Sequence, residues 1–190
     1  MVETACRSPF TREICILAGG LSKRMGRDKA RLRLGPNTMV GHIRATARRT
    51  VWPVRVIRRD LVARCGPLGG VYTALKTTQS DAVIFLACDM PFVEVEVLDW
   101  LLDDHRSTPR PLFTMYRGRV GFPFLLPRSS IGAAAKQIER GEFSIQALAK
   151  SLRARTIQIP QELTRQLRNV NTPSEWERAR RLWSRRKSKR

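Results

Sequence analysis

Two short runs, EICILA at residues 13–18 and DAVIFLAC at 81–88, are apolar almost throughout, and each runs straight into a loop marked by glycine or proline. Runs this short, with no polar alternation, fit strands buried on both faces, as in a parallel sheet covered above and below by its crossover helices. Helical spacing fills the stretches around them, at 37–49, 66–78 and 93–105, and the second of these opens on Gly66 and Pro67. A strand is expected at 54–58 and two more across 111–126, around a turn at Arg117-Gly118-Arg119. Helices near 129–139 and 144–151, a strand near 154–159 and a last helix from about 173 complete the pattern. Strands alternating with helices predict an α/β fold, a mostly parallel sheet flanked by helices and joined by right-handed crossovers. No internal repeat or low-complexity linker interrupts it, so residues 1–190 read as a single domain with a basic tail at 178–190.

Charge and cysteine usage narrow the partners. The chain has 36 basic and 16 acidic residues, a formal charge of +20, which attracts nucleotides, other acidic small molecules or nucleic acid without choosing among them. No RNA-binding aromatic motif or helix-turn-helix accompanies the charge, which makes nucleic acid the weaker reading. The tail RARRLWSRRKSKR fits a solvated helix end, with an anionic contact as the alternative. Cys6, Cys15, Cys65 and Cys88 form no CxxC pair, so neither a zinc site nor a disulfide framework is suggested, and a reducing cytoplasm fits. The longest apolar runs fall far short of a bilayer span, and no secretory leader pattern opens the chain, so a membrane partner is not expected.

In a parallel sheet, ligands sit at the carboxyl ends of the strands. That rule puts two loops together: Gly19 and Gly20 with Lys23, Arg24, Arg27 and Lys29 after the first strand, and Asp89-Met90-Pro91 after the strand at 81–88. Glycines let backbone N–H groups approach an anion, Arg24 and Lys29 can neutralise charge growing on a phosphate leaving group, and Asp89 suits Mg²⁺. The loop is neither GxGxxG nor GxxxxGK[ST], which argues against a dinucleotide fingerprint and a P-loop. The plainer readings stand beside these: the glycine pair as a tight turn, Asp89 as a helix N-cap, Cys88 as a small buried hydrophobe. His42 and His105 are read as surface residues of helices.

LAGGLSKRMGRDKARL at 17–32 resembles the signature loop LAGGxSxRMGxDK of the MobA-type nucleotidyltransferases, the molybdenum cofactor guanylyltransferases. GPLGGVYTAL at 66–75, LACDMP at 86–91 and NVNTPSEW at 169–176 resemble three further segments of that family, in the same order. Gly20 stands where related cytidylyltransferases have Ala. The resemblance implies a Rossmann-like sheet of the nucleotide-diphospho-sugar transferase type and transfer of GMP from GTP to molybdenum-loaded molybdopterin, with release of pyrophosphate. It implies that Leu17, Ala18, Gly19 and Gly20 line the guanine and ribose side and that Lys29, supported by Arg24, reaches the phosphates. Asp60 would help hold the nucleotide, Asp89 would bind Mg²⁺, and Asn169 and Asn171 would face the pterin. The implied substrates are GTP and molybdopterin, with transient contact to cofactor-biosynthesis or acceptor proteins. Between Gly35 and Asp60 the chain is shorter than the family pattern, which leaves open another nucleotide, another phosphorylated acceptor, or a non-catalytic nucleotide-binding accessory protein.

Overall fold

The structure, a computed structural model, describes residues 10–19, 32–103 and 110–187. A six-stranded sheet runs through it in the order β4 (Val54–Ile57), β1 (Arg12–Leu17), β5 (Ala82–Ala87), β7 (Arg119–Pro127), β6 (Leu112–Tyr116), β8 (Arg155–Gln158). All neighbours are parallel except the pairs made by β7, which is antiparallel to β5 and β6. The reversal follows from the turn. Arg117 and Gly118 have φ of 51° and 72°, the two positive values that a two-residue hairpin turn needs to match strand twist.

Alternation along the strands sorts the core into two layers. Ile14 and Ile16 of β1 and Ile84 and Leu86 of β5 face α1 (Met39–Ala47) and α3 (Val95–Asp103). Cys15 and Leu17, with Val83 and Phe85, face α2 (Gly66–Thr77), α4 (Ile131–Glu139) and α5 (Ile145–Ser151). The acid within the first apolar run is also accounted for: Glu13 is 6% exposed, and its carboxylate accepts a 2.6 Å hydrogen bond from Arg55 of β4. Arg55 also donates to the Ala74 carbonyl, tying the edge strand to α2.

A third, smaller cluster lies outside the sheet. A short hairpin, β2 (Arg33–Leu34) and β3 (Asn37–Thr38), occupies the start of the stretch expected to be helical. The helix begins one residue after Asn37–Thr38 because the Thr38 hydroxyl caps it, accepting from the Gly41 N–H at 3.0 Å. The last helix, α6 (Pro173–Lys187), packs on this hairpin: Ala179, Trp176, Leu182 and Trp183 join Leu34, Met39, Phe92 and Val170. Among the described residues, no helix is long and apolar enough to cross a membrane.

Candidate active site

The chain leaves β1 toward α1 on one face and leaves the adjacent β4 toward α2 on the other. Two neighbouring strands whose chains part in this way open a crevice at their carboxyl ends. Gly19 and Asp60 sit there. A Cβ built on Gly19 would lie 3.3 Å from Asp60 Oδ1, one on Gly69 would lie 2.9 Å from Oδ2, and one on Gly70 would lie 3.4 Å from Oδ1. The Asp60 carboxylate is therefore seated against the backbone of three glycines, two of them in the first turns of α2. Burial there pushes its pKa above the ordinary carboxylate value. A half-enclosed carboxylate with its oxygens toward bare backbone can accept hydrogen bonds from the hydroxyls of a bound ligand.

Beside this crevice lies a cavity of about 700 Å³, lined by Leu17, Gly19, Gly66 and Pro67 and by Cys88, Asp89, Met90 and Asn169; the Cys88 N–H donates to the Leu17 carbonyl at 3.1 Å, so the exits of β1 and β5 stand side by side in its wall. Asp89 falls in the turn that follows β5, and its Oδ1 is buried. The Asp89 carbonyl accepts from the Val170 N–H at 2.8 Å, which fixes the segment bearing Asn169 against the turn bearing Asp89. Val170 is buried and Asn169 is exposed, the alternation of an extended segment. Asn169 borders the cavity. Asn171 stands at the start of α6, where its N–H donates to the Glu175 carboxylate at 2.7 Å, and it is not part of the cavity wall. Ala18 hydrogen-bonds Ile57 of β4 through its N–H at 2.8 Å and lies behind the wall.

Gly20, Arg24 and Lys29 lie outside the described residues, as do Lys23, Arg27 and His105. Cys88 is half-buried at the cavity wall, whereas the Cys15 thiol is inert, fully buried and with its pKa pushed up to about 12 by that burial. His42 corrects the expectation of a surface residue: it is 8% exposed, its Nε2 lies 2.6 Å from the Leu34 carbonyl, and its ring is 4.1 Å from that of Trp183. The element that covers it, α6, arrives from the far end of the chain.

One part of the cavity wall comes from residues that motif reading passed over. The β6–β7 hairpin contributes Thr114, Tyr116, Arg117 and Arg119. Among the described residues, the Thr114 hydroxyl, 1% exposed, has no hydrogen-bond partner. Arg117 stacks over the Tyr116 ring at 5.1 Å. The signal was two arginines flanking a glycine, which was legible as a turn; only the antiparallel insertion of β7 beside β5 brings that turn over Asp89.

An open, mostly parallel α/β sheet with a large cavity at its carboxyl edge, one carboxylate in the cavity wall and a second seated against glycines beside it, defines a nucleotide-binding transferase scaffold. The family comparison agrees: residues 14–157 match the model of the MobA-like NTP transferase domain, and the chain belongs to that family. A relative from Opitutus terrae named "Probable molybdenum cofactor guanylyltransferase" is 32% identical over 87% of this chain and 93% of its own. Among solved structures, the molybdopterin-guanine dinucleotide biosynthesis protein A of Archaeoglobus fulgidus superposes with a TM-score of 0.69 at 19% identity, covering 91% of this chain and 99% of its own. Rv0371C of Mycobacterium tuberculosis, solved in complex with manganese, gives 0.61 at 19% identity over 90% and 98% of the two chains.

Proposed function

We propose that this nucleotidyltransferase transfers GMP from GTP to the terminal phosphate of molybdenum-loaded molybdopterin, forming the guanine dinucleotide cofactor and pyrophosphate. The observation that carries the reading is that three separate segments resembling the family, at 17–32, 86–91 and 169–176, meet at one cavity, lined by Leu17, Gly19, Asp89 and Asn169. The nucleotide would lie against Leu17, Gly19 and Asp60, with Gly20 on its guanine and ribose side and Lys29, supported by Arg24, on its phosphates. The pterin would lie toward Asn169, with Asn171 and the arginines of the β6–β7 hairpin beside it. Transfer to an existing phosphate needs no protein nucleophile, only positioning and support of the leaving pyrophosphate.

Asp89 fits a hard divalent cation, because Mg²⁺ is usually held by one or two carboxylates together with substrate phosphates. When bound, the ion would supply charge neutralisation on the phosphates. This chain's own part is to orient the Asp89 carboxylate through the Val170–Asp89 backbone bond and to line the cavity with cations. We place the reaction in the cytoplasm, where GTP is available and where the described cysteines, all free thiols, remain reduced. The direct test incubates the protein with Mg²⁺, molybdopterin carrying molybdenum, and GTP, CTP, ATP or UTP in turn, and follows pyrophosphate release. GTP-selective turnover supports the reading; binding without turnover indicates an accessory protein, and preference for another nucleotide reassigns the donor.

A further inference from the structure

A second cavity, of about 820 Å³, lies on the other side of the wall that bounds the first. The shared wall is made by the chain after β5 and the segment before α6. Cys88, Asp89, Met90, Leu167 and Asn169 face one cavity, and Pro91, Phe92, Gln166 and Arg168 face the other. Its floor is apolar. Phe92 is 3% exposed, Trp183 lies 6.5 Å from it ring to ring, and Leu182 adjoins them. Its rim is cationic: Arg49 from just after α1, Arg165 and Arg168 from a 3-10 helix at Gln161–Leu167 and its exit, and Arg185 from α6. Two carboxylates, Glu94 and Glu162, interrupt the rim, and Glu94 lies 3.7 Å from Arg49. Among the described residues, Arg165, Arg168 and Arg185 have no carboxylate within salt-bridge distance.

We propose that this cavity docks an acidic segment of a partner protein, anchored by one apolar side chain on the half-buried Leu182 and Trp183 and flanked by carboxylates that meet the arginine rim. Charge complementarity selects the sign of the occupant, and the aromatic and aliphatic floor selects an anchor that buries apolar surface. The rim glutamates weigh against a nucleic-acid strand, whose unbroken row of phosphates they would oppose, whereas a peptide can place a neutral or basic residue beside them. A surface of plain electrostatic attraction would need no apolar floor. Because the wall is shared with Asp89 and Asn169, a partner seated here would stand directly behind the substrate cavity.

The test measures fluorescence anisotropy of labelled probes on the full chain at about 0.15 M ionic strength, where exposed long-range attraction is largely screened. The probes are a peptide of about 12 glutamate and aspartate residues with a central Leu-Leu-Phe, the same peptide with alanines in place of that centre, and a single-stranded RNA oligonucleotide of about 12 nucleotides. The expected result is that the acidic-apolar peptide binds, and that Arg165→Glu, Arg185→Glu and Leu182→Gln each weaken it about tenfold. Arg140→Glu, an equal charge change at the end of α4 on the other face of the sheet, should change binding by less than about twofold. Thermal melts establish that each variant is folded, and nucleotide turnover should stay at the parent level. Equal losses from Arg140→Glu and Arg165→Glu would overturn the proposal by showing attraction to net charge alone. An unchanged affinity in folded Leu182→Gln, or for the alanine-centred peptide, would overturn the anchor. Tighter binding of the RNA, weakened by the same rim variants, would replace the protein partner with nucleic acid.

Discussion

Single side chains in the cavity wall and in the crevice beside it make separable predictions. Asp89→Asn keeps the shape and removes the charge, so metal-dependent transfer should fall to background while the melting temperature stays near the parent's; unchanged turnover would remove Asp89 from the metal site. Asp60 behaves differently. Its pKa is raised by burial from the ordinary 3.8, so the fold favours the protonated form. The stability that protonation contributes is fully present below 3.8 and is lost as pH rises through the raised value. Asp60→Asn should therefore be at least as stable as the parent at neutral pH, with any gain shrinking as pH falls through the raised value and gone below the ordinary 3.8, yet should bind GTP more weakly. Melting curves from acid to neutral pH, together with calorimetry of GTP, check both halves. For the pterin side, Asn169→Ala should weaken molybdopterin binding by about 1–3 kcal/mol with GTP affinity little changed, while Asn171→Ala should have the smaller effect on molybdopterin. Equal losses for both ligands would make Asn169 a structural residue. Gly19 and Asp89 were legible before the fold was known, because each follows a strand and strand ends converge, whereas Asp60 was reached only through the family resemblance. Thr114 and Arg117 were not legible as site residues, since a β-hairpin's neighbours in a sheet are not encoded in its own residues.

At the level of elements, the small cluster under α6 joins three segments of the candidate site. It holds Leu34 just after residues 20–31, Phe92 just after Asp89, and Val170 between the two asparagines. Gly35, with φ of +65°, turns the hairpin, and a Cβ there would lie 2.1 Å from Trp183 Nε1, so the indole sits on bare backbone. Trp183→Ala should cost about 2–3 kcal/mol, below a fully buried tryptophan because this one is only half-buried. Gly35→Ala should cost about 1–2 kcal/mol for the left-handed backbone alone, and more for the collision. In the double variant the collision disappears, so the two losses should sum to less than additive; strict additivity in urea melts would show that α6 does not rest on the hairpin. Periodicity located α6 and α1 correctly. It could not show that α6 covers His42, because a pattern within one helix carries no address for its partner. The shift at residues 37 and 38 has a local cause, the Thr38 cap, which the sequence carries in a single hydroxyl.

Across the whole molecule, the two layers share one sheet, and we propose that the chain is one folding unit with a basic tail: chemical unfolding should follow one transition whether read by tryptophan fluorescence or circular dichroism. Removing residues from Ser184 onward leaves Trp183 in place and should keep turnover within about twofold, while abolishing the contribution of Arg185 to peptide docking. Loss of turnover would bring the tail into the catalytic site. The placement of Trp183 on Gly35 also has a consequence in time. The sheet is assembled from strands that end at Gln158, whereas the brace for the hairpin that follows the glycine loop lies in the helix beginning at Pro173. On the ribosome that helix emerges after every strand, so a nascent or prematurely terminated chain can form its sheet while the hairpin at 33–38 still lacks its last support. Unfinished copies would then be poor consumers of GTP, and synthesis itself would keep the activity off until the chain has passed Trp183.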